Sequence, residues 1–194
     1  NVTKDSLVQA LKAITSEAKI PYFDMLLNSI MKIIPDFKVV YLTEDVKRSD
    51  VPEKVMTGNE FAQFVLDEGK ATLYVRGHMY KNSSVTPETI LHELIHSVLS
   101  ATLVSKNQTD VQKAAIAEIT KMYELAKVTL EAKYSKVFGS PDLIQNLDEF
   151  ITYGITNEEF MIDLQGIAYT TEGLFKAFVR TVFKALGLTQ DKLQ

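Results

Sequence analysis

The sequence predicts an α+β fold that is mostly helical, with a small, mainly antiparallel sheet of about three strands. Apolar residues recur at helical spacing over the first 34 residues and again over most of the chain after residue 85. Three short β-rich runs lie between these two regions. Helices and strands that are segregated along the chain in this way are typical of α+β proteins.

Apolar spacing and prolines define the elements of the first region. One helix is predicted over 3–19, and a second begins at Pro21 and ends before Pro35. The β-rich runs cover 37–42, 61–66 and 71–75. Asp67-Glu68-Gly69, between the last two runs, is typical of a hairpin turn, so these two strands are expected to pair.

Start and stop signals delimit the helices of the second region. Thr86 as N-cap and Pro87 at the first helical position predict a helix to about Val104. Thr109, with Gln112 three residues later, has the pattern of a capping box and opens a long helix. This long helix is predicted to end near 137, before Gly139-Ser140-Pro141, and the remaining helices are predicted over 142–155, after the cap Asn157, and from the cap Thr171 to near Gly187.

Length and composition limit the classes of protein to consider. With 194 residues, 46% of them hydrophobic, the chain can form one core, so we expect a single domain: helices and sheet in 1–85, the helical part in 86–194. A net charge of −4 offers no basic surface for nucleic acid. No apolar run approaches the roughly 20 residues of a membrane span, and the first residues have no signal-peptide character, so we expect a soluble protein. Because cysteine is absent, a metal would need His, Asp or Glu ligands.

The segment His92-Glu93-Leu94-Ile95-His96 contains the residues that predict a catalytic metal site. On a helix, His92 and His96 lie on one face, one turn apart, where two imidazoles can bind a single zinc ion. Glu93 points elsewhere and is expected to act as general base, taking a proton from the attacking water and returning it to the leaving amine. An apolar stripe that includes Leu94 and Ile95 is expected to bury the opposite face. Thr89 and Ser100, both small, would let another ligand-bearing helix come close.

A catalytic zinc normally takes three protein ligands, so a third should follow the motif. A third histidine six residues beyond His96 is missing, since that position is Thr102. Glu149 is the preferred candidate, on the polar side of the predicted helix over 142–155. Three other acidic residues remain as competing ligands: Asp148, Glu118 and Glu158.

Two further residues are candidates for the cleft. Tyr153, one turn beyond Glu149, could donate its hydroxyl to the oxyanion that develops on a substrate carbonyl. His78, the only other histidine, precedes the motif helix and is better placed to line the substrate cleft than to bind the metal. Both assignments compete with ordinary packing or surface exposure.

With His92-Glu93-x-x-His96 and a downstream helical Glu149, the chain resembles the gluzincin branch of the zincin metallopeptidases. The segment from Asp148 to Phe160 is also similar to the glutamate helix of peptidase-like domains in very large phage and mobile-element polyproteins, with a Glu-Phe pair and an Asn-x-x-Phe ending. Two departures leave the substrate class and the family assignment open. His96 and Glu149 are separated by 52 residues, and the gluzincin Asn-Glu-x-x-Ser-Asp segment is missing.

The resemblance implies a zincin-like domain in which a small sheet packs on the motif helix and a second helix donates Glu149. It implies hydrolysis of peptide bonds with one catalytic Zn2+, in a domain that forms part of a larger polypeptide. A peptide or protein substrate would bind by backbone pairing along the edge strand of the sheet, expected at Ala71, Leu73 and Val75.

Two alternatives from other classes stay open. The first is a structural or interaction domain that keeps a metal site with little or no turnover, and the second is a helical interaction module without metal. Retention of Glu93 favours the enzyme, because a purely structural site has no use for a general base.

Overall fold

Helices form most of the described part of the protein, which confirms the mostly helical α+β class. The computed structural model describes residues 5, 9, 27–29, 31–32, 36–42, 52–53, 62–68, 70–76 and 87–187. Asp5, Gln9, 27–29 and 31–32 are helical, as expected for the two predicted N-terminal helices. Contacts divide the chain into two compact units, Asn1–Ser97 and Val98–Gln194, while the single domain stays a prediction.

The sheet contains the strands β1 (Phe37–Leu42), β2 (Ala62–Asp67) and β3 (Lys70–Arg76), in the order β1-β3-β2. β2 and β3 form the predicted antiparallel hairpin: Asp67 is paired with Lys70, and Glu68 in the turn has a φ of 46°, as primed hairpin turns require. β1 pairs with β3 in parallel, with Phe37 opposite Ala71. The expectation of a mainly antiparallel sheet is therefore wrong, because a connection as long as the one after β1 permits either direction.

The central position of β3 overturns the predicted peptide-binding edge. β3 pairs with β1 on one side and β2 on the other, so its backbone groups are already used within the sheet. Ala71, Leu73 and Val75 are buried. Tyr74, on the opposite face of the strand, packs against Val40 and Val65. These three residues cannot bind a substrate by backbone pairing, since an added strand needs an unpaired edge.

The first two predicted helices of the second region are present. α1 (Pro87–Val104) has the predicted bounds. α2 (Asp110–Leu130) begins with the predicted capping box: the Gln112 amide donates to Thr109 Oγ1 at 3.2 Å, and the Thr109 amide donates to Gln112 Oε1 at 3.0 Å. α2 ends seven residues before the predicted end at 137, and a separate short helix, α3 (Ser135–Phe138), follows.

A tertiary contact explains the break between α2 and α3. Tyr134 leaves the helical conformation, with a φ of −124°. Its ring packs edge-on against Phe160, with 4.7 Å between centroids, and its hydroxyl donates to Asp163 Oδ2 at 2.5 Å. The apolar pattern continues across the break because Val137 and Phe138 are buried in the same core.

Three more helices follow in the described part of the chain: α4 (Leu143–Thr156), α5 (Glu158–Gln165) and α6 (Leu174–Ala185). Asp142 caps α4, and Asn157 caps α5 as predicted, its side chain accepting from the Phe160 amide at 2.9 Å. Thr171 does not cap α6, which begins after Gly173. Gly173 has a φ of 79°, a conformation that suits glycine, so the backbone turn rather than a side-chain cap starts this helix.

An aromatic cluster forms the core of the second unit. Phe150, on α4, is fully buried, and its ring meets Tyr123, Phe160 and Phe178 edge-on at centroid distances of 5.7, 5.8 and 5.4 Å. Edge-to-face pairs add specific geometry to the burial of apolar area. The rings therefore set the rotation of α4 about its own axis.

Within the described ranges, no helix is long and apolar enough to cross a membrane.

Candidate metal centre

The two motif histidines converge on one face of α1. Their Nε2 atoms are 2.9 Å apart, and their rings meet at 75° with centroids 4.5 Å apart. Both side chains are half-buried. Leu94, Ile95 and Leu99 on the other side of the helix are fully buried. The predicted apolar stripe therefore anchors α1 with its histidine face turned away from the core.

Glu149 joins the two histidines. One ligand atom from each of His92, His96 and Glu149 lies within 4.8 Å of the others, and Glu149 is half-buried. In the described part of the chain this is the one such group of three or more potential ligands. The structure thus brings together the three residues that the sequence proposed as a ligand set.

The packing of α4 explains why Glu149 occupies this position. The next residue, Phe150, lies in the aromatic cluster, and Leu147 and Ile151 are also buried. Because successive residues of a helix are rotated by about 100°, burial of these neighbours leaves Glu149 on another side of α4. Asn146 is also buried, and its side-chain amide donates to Tyr123 Oη at 3.1 Å and to the Ser140 carbonyl at 2.8 Å.

The competing acidic residues have other surroundings. Asp148 accepts a hydrogen bond from Ser100 Oγ at 2.8 Å. Glu118 accepts from the Tyr169 hydroxyl and pairs with Lys121 at 3.4 Å. Glu158 is exposed in the first turn of α5. None of the three belongs to the group formed with the histidines in the described residues.

The donor set fits a zinc ion. Two imidazole nitrogens and one carboxylate oxygen form one of the ligand combinations of catalytic zinc. Zinc–ligand bonds are about 2.0–2.2 Å long, so two ligands of one ion lie at most roughly 4 Å apart. The spread of up to 4.8 Å between ligand atoms therefore requires only a small side-chain adjustment.

Glu93 and Tyr153 are close in sequence to this group: Glu93 lies between the two histidines, and Tyr153 is four residues beyond Glu149. Glu93 is half-buried and follows His92 on α1. Tyr153 is half-buried, and its ring meets Phe160 edge-on at 6.0 Å. Burial, and to a smaller extent the charge of Glu149, raise the pKa of Tyr153. The catalytic roles of both residues stay predictions.

The other proposed site residues are separate from this group. Ala71, Leu73 and Val75 are core residues of the sheet. His78 lies outside the described residues. The hydrogen bond between Ser100 and Asp148 was not predicted, although the spacing of His92, His96 and Ser100, each four residues from the next, signals a common helix face.

Comparisons with known proteins identify no protein related to this chain. No protein-family model matches the chain, and neither the curated proteins nor the solved structures include a significant match. The resemblance to gluzincins therefore depends on the residues of the motif and on Glu149.

Proposed function

We propose that this protein is a zinc-dependent metallopeptidase that hydrolyses peptide bonds with one catalytic Zn2+. The observation that carries the proposal is the convergence of His92, His96 and Glu149. Three ligands of this kind leave a position for water, whereas structural zinc sites are closed by four protein ligands. When bound, zinc makes water more acidic and polarises the substrate carbonyl.

Glu93 is the general base in this proposal. It lies next to His92, rotated about 100° around α1, and so stands beside the ligand face rather than on it. It accepts the proton of the attacking water and passes it to the leaving amine. Its presence supports a peptidase over a structural zinc site, since the latter needs no proton acceptor.

Tyr153 stabilises the oxyanion in this proposal. It is one helical turn beyond Glu149 on α4, and its phenol donates a hydrogen bond to the charge that develops on the substrate carbonyl oxygen. The resemblance to polyprotein domains supports processing of a larger polypeptide as the biological setting, with an extended peptide as the substrate.

Metal content tests the ligand set. After exhaustive dialysis, elemental analysis should find about one zinc per chain in the parent and much less in His92→Ala, His96→Ala and Glu149→Ala. Glu158→Ala, which removes an exposed carboxylate from α5, is the matched control and should keep the metal. A parent that holds no zinc and does not take it up on addition would overturn the proposal.

Cleavage tests the reaction. On a library of internally quenched peptides, the zinc-loaded parent should release fluorescence, and Glu93→Gln should keep zinc but cleave at least ~100-fold more slowly. Glu124→Gln, on the exposed side of α2, should cleave like the parent. Equal cleavage by Glu93→Gln would remove Glu93 from the mechanism, and a zinc-loaded parent that cleaves nothing would favour a structural or interaction domain.

A further inference from the structure

The hydrogen bond from Ser100 Oγ to Asp148 Oδ2, 2.8 Å long, joins α1 to α4 next to the metal centre. Ser100 is four residues beyond His96, and Asp148 directly precedes Glu149. We propose that Ser100 and Asp148 are positioning residues, which hold α4 in the register that brings Glu149 to the histidines. This inference depends on the proposed zinc site, because it assigns a role in assembling that site.

The argument begins with the geometry of α1. His92, His96 and Ser100 form a column along one face, since residues four apart on a helix lie one above the other. Two successive residues of α4 meet this column: Glu149 joins the histidines, and Asp148 accepts from the serine. The hydrogen bond and the proximity of Glu149 to the histidines lie at different heights along α1, so the bond fixes the position at which Glu149 faces them.

The tolerance of a zinc site makes this register important. One residue of a helix corresponds to a rise of about 1.5 Å, whereas zinc–ligand distances vary by only about 0.2 Å. A slip of α4 by one residue would therefore displace Glu149 by much more than this tolerance, in addition to the side-chain adjustment that the spread of up to 4.8 Å already requires. The aromatic cluster around Phe150 sets the rotation of α4, and the hydrogen bond adds a constraint next to the ligand itself.

The same bond distinguishes the two adjacent carboxylates. Asp148 and Glu149 are both acidic, and either could serve as a zinc ligand on chemical grounds. The Ser100 hydroxyl binds the Asp148 carboxylate one turn away from His96 along α1. Ser100 thereby directs Asp148 to a position beside the ligand group, while Glu149 belongs to it.

Zinc affinity measured by competition with a chromogenic chelator tests this role. Ser100→Ala and Asp148→Ala should each weaken zinc binding about 10-fold, the lower end of the effect of outer-shell residues. The double variant should lose no more than either single variant, because both remove the same bond. Ser100→Thr keeps a hydroxyl and should stay within about threefold of the parent.

Thr102→Ala is the matched control. It removes another hydroxyl of α1, one that donates within the helix to the Val98 carbonyl at 3.0 Å. It should bind zinc like the parent. The melting temperature of each metal-free variant is measured in parallel, because a merely structural role would lower that temperature without changing zinc affinity. If Ser100→Ala does not fold, Asp148→Ala decides on the same readout.

The outcomes separate this inference from the proposed function. Zinc binding that depends on Glu149 but is unchanged by Ser100→Ala and Asp148→Ala overturns the positioning role and leaves the peptidase proposal intact. A parent that binds no zinc overturns both. Independent, additive losses in the double variant would also contradict a shared bond.

Discussion

At the scale of single residues, the close approach of two helices depends on Gly154. An ideal Cβ at this position would lie 2.3 Å from Cζ of Phe178, and Phe178 is fully buried in α6. A buried ring cannot move aside freely, because protein cores are close-packed. Gly154 is thus required where α4 crosses α6, five residues beyond Glu149.

Gly154→Ala should destabilise the protein. Overpacking costs about 1–3 kcal/mol, and the gain in helix propensity from glycine to alanine returns about 1 kcal/mol, so we expect a net loss of up to about 2 kcal/mol. Urea unfolding measures the free energy of unfolding. Gly166→Ala is the control, since its Cβ would lie 3.4 Å from the Asp163 carbonyl, and it should be neutral or slightly stabilising. Equal stability of the two variants would contradict the steric argument.

At the scale of elements, a polar network ties α5 to the turn between α2 and α3. Lys133 Nζ lies 2.7 Å from Asp163 Oδ2 and 2.8 Å from Glu159 Oε1, and the Tyr134 hydroxyl donates to the same Asp163 oxygen. The hydrogen bonds from Lys133 and Tyr134 lower the pKa of Asp163. The burial of Tyr134 and its hydrogen bond to Asp163 raise the pKa of Tyr134 to about 12.

The contribution of Asp163 to stability should depend on pH. Because its folded pKa is depressed, the unfolded chain binds the proton first as the pH falls. The stabilisation is therefore complete above the ordinary carboxyl pKa of about 3.9 and is lost as the pH falls through the lower folded value. The difference in unfolding free energy between the parent and Asp163→Asn should be full at pH 6–7 and shrink near pH 3.

Lys133→Gln provides the control for this network, because it removes the donor that lowers the pKa of Asp163 most. In the Lys133→Gln background, Asp163→Asn should lower the free energy of unfolding by less at neutral pH, and this difference should depend less on pH. A difference between parent and Asp163→Asn that stays constant from pH 3 to pH 7 would show that the Asp163 charge is not involved. Added salt should weaken the effect, since Lys133 and Glu159 are largely exposed.

At the scale of the whole molecule, zinc should stabilise the folded protein by mass action. A ligand that binds only the native state adds RT ln(1 + [L]/Kd), about 2.7 kcal/mol when the free ligand is 100 times Kd. Saturating zinc should therefore raise the melting temperature of the parent and leave Glu149→Ala nearly unchanged. An equal rise in the His92→Ala/His96→Ala double variant would indicate that zinc binds elsewhere.

Local signals predicted much of the helical part. Pro87 at the start of α1, the Thr109–Gln112 box of α2 and the Asn157 cap of α5 act on neighbouring residues and are present in the structure. Long-range packing caused the errors. Tyr134 ends α2 early through its contacts with α5, and β1 pairs in parallel with a strand that is distant in sequence.

For the candidate site, the sequence by itself determined the pairing of His92 with His96, because a spacing of four residues sets their geometry on any helix. It left Glu149 in competition with Asp148, Glu118 and Glu158. Only the tertiary structure decided that Glu149 joins the histidines and that Ser100 binds Asp148. The physical reason is that the rotation of α4 depends on the burial of Phe150 among rings from three other helices, and no local pattern encodes that contact.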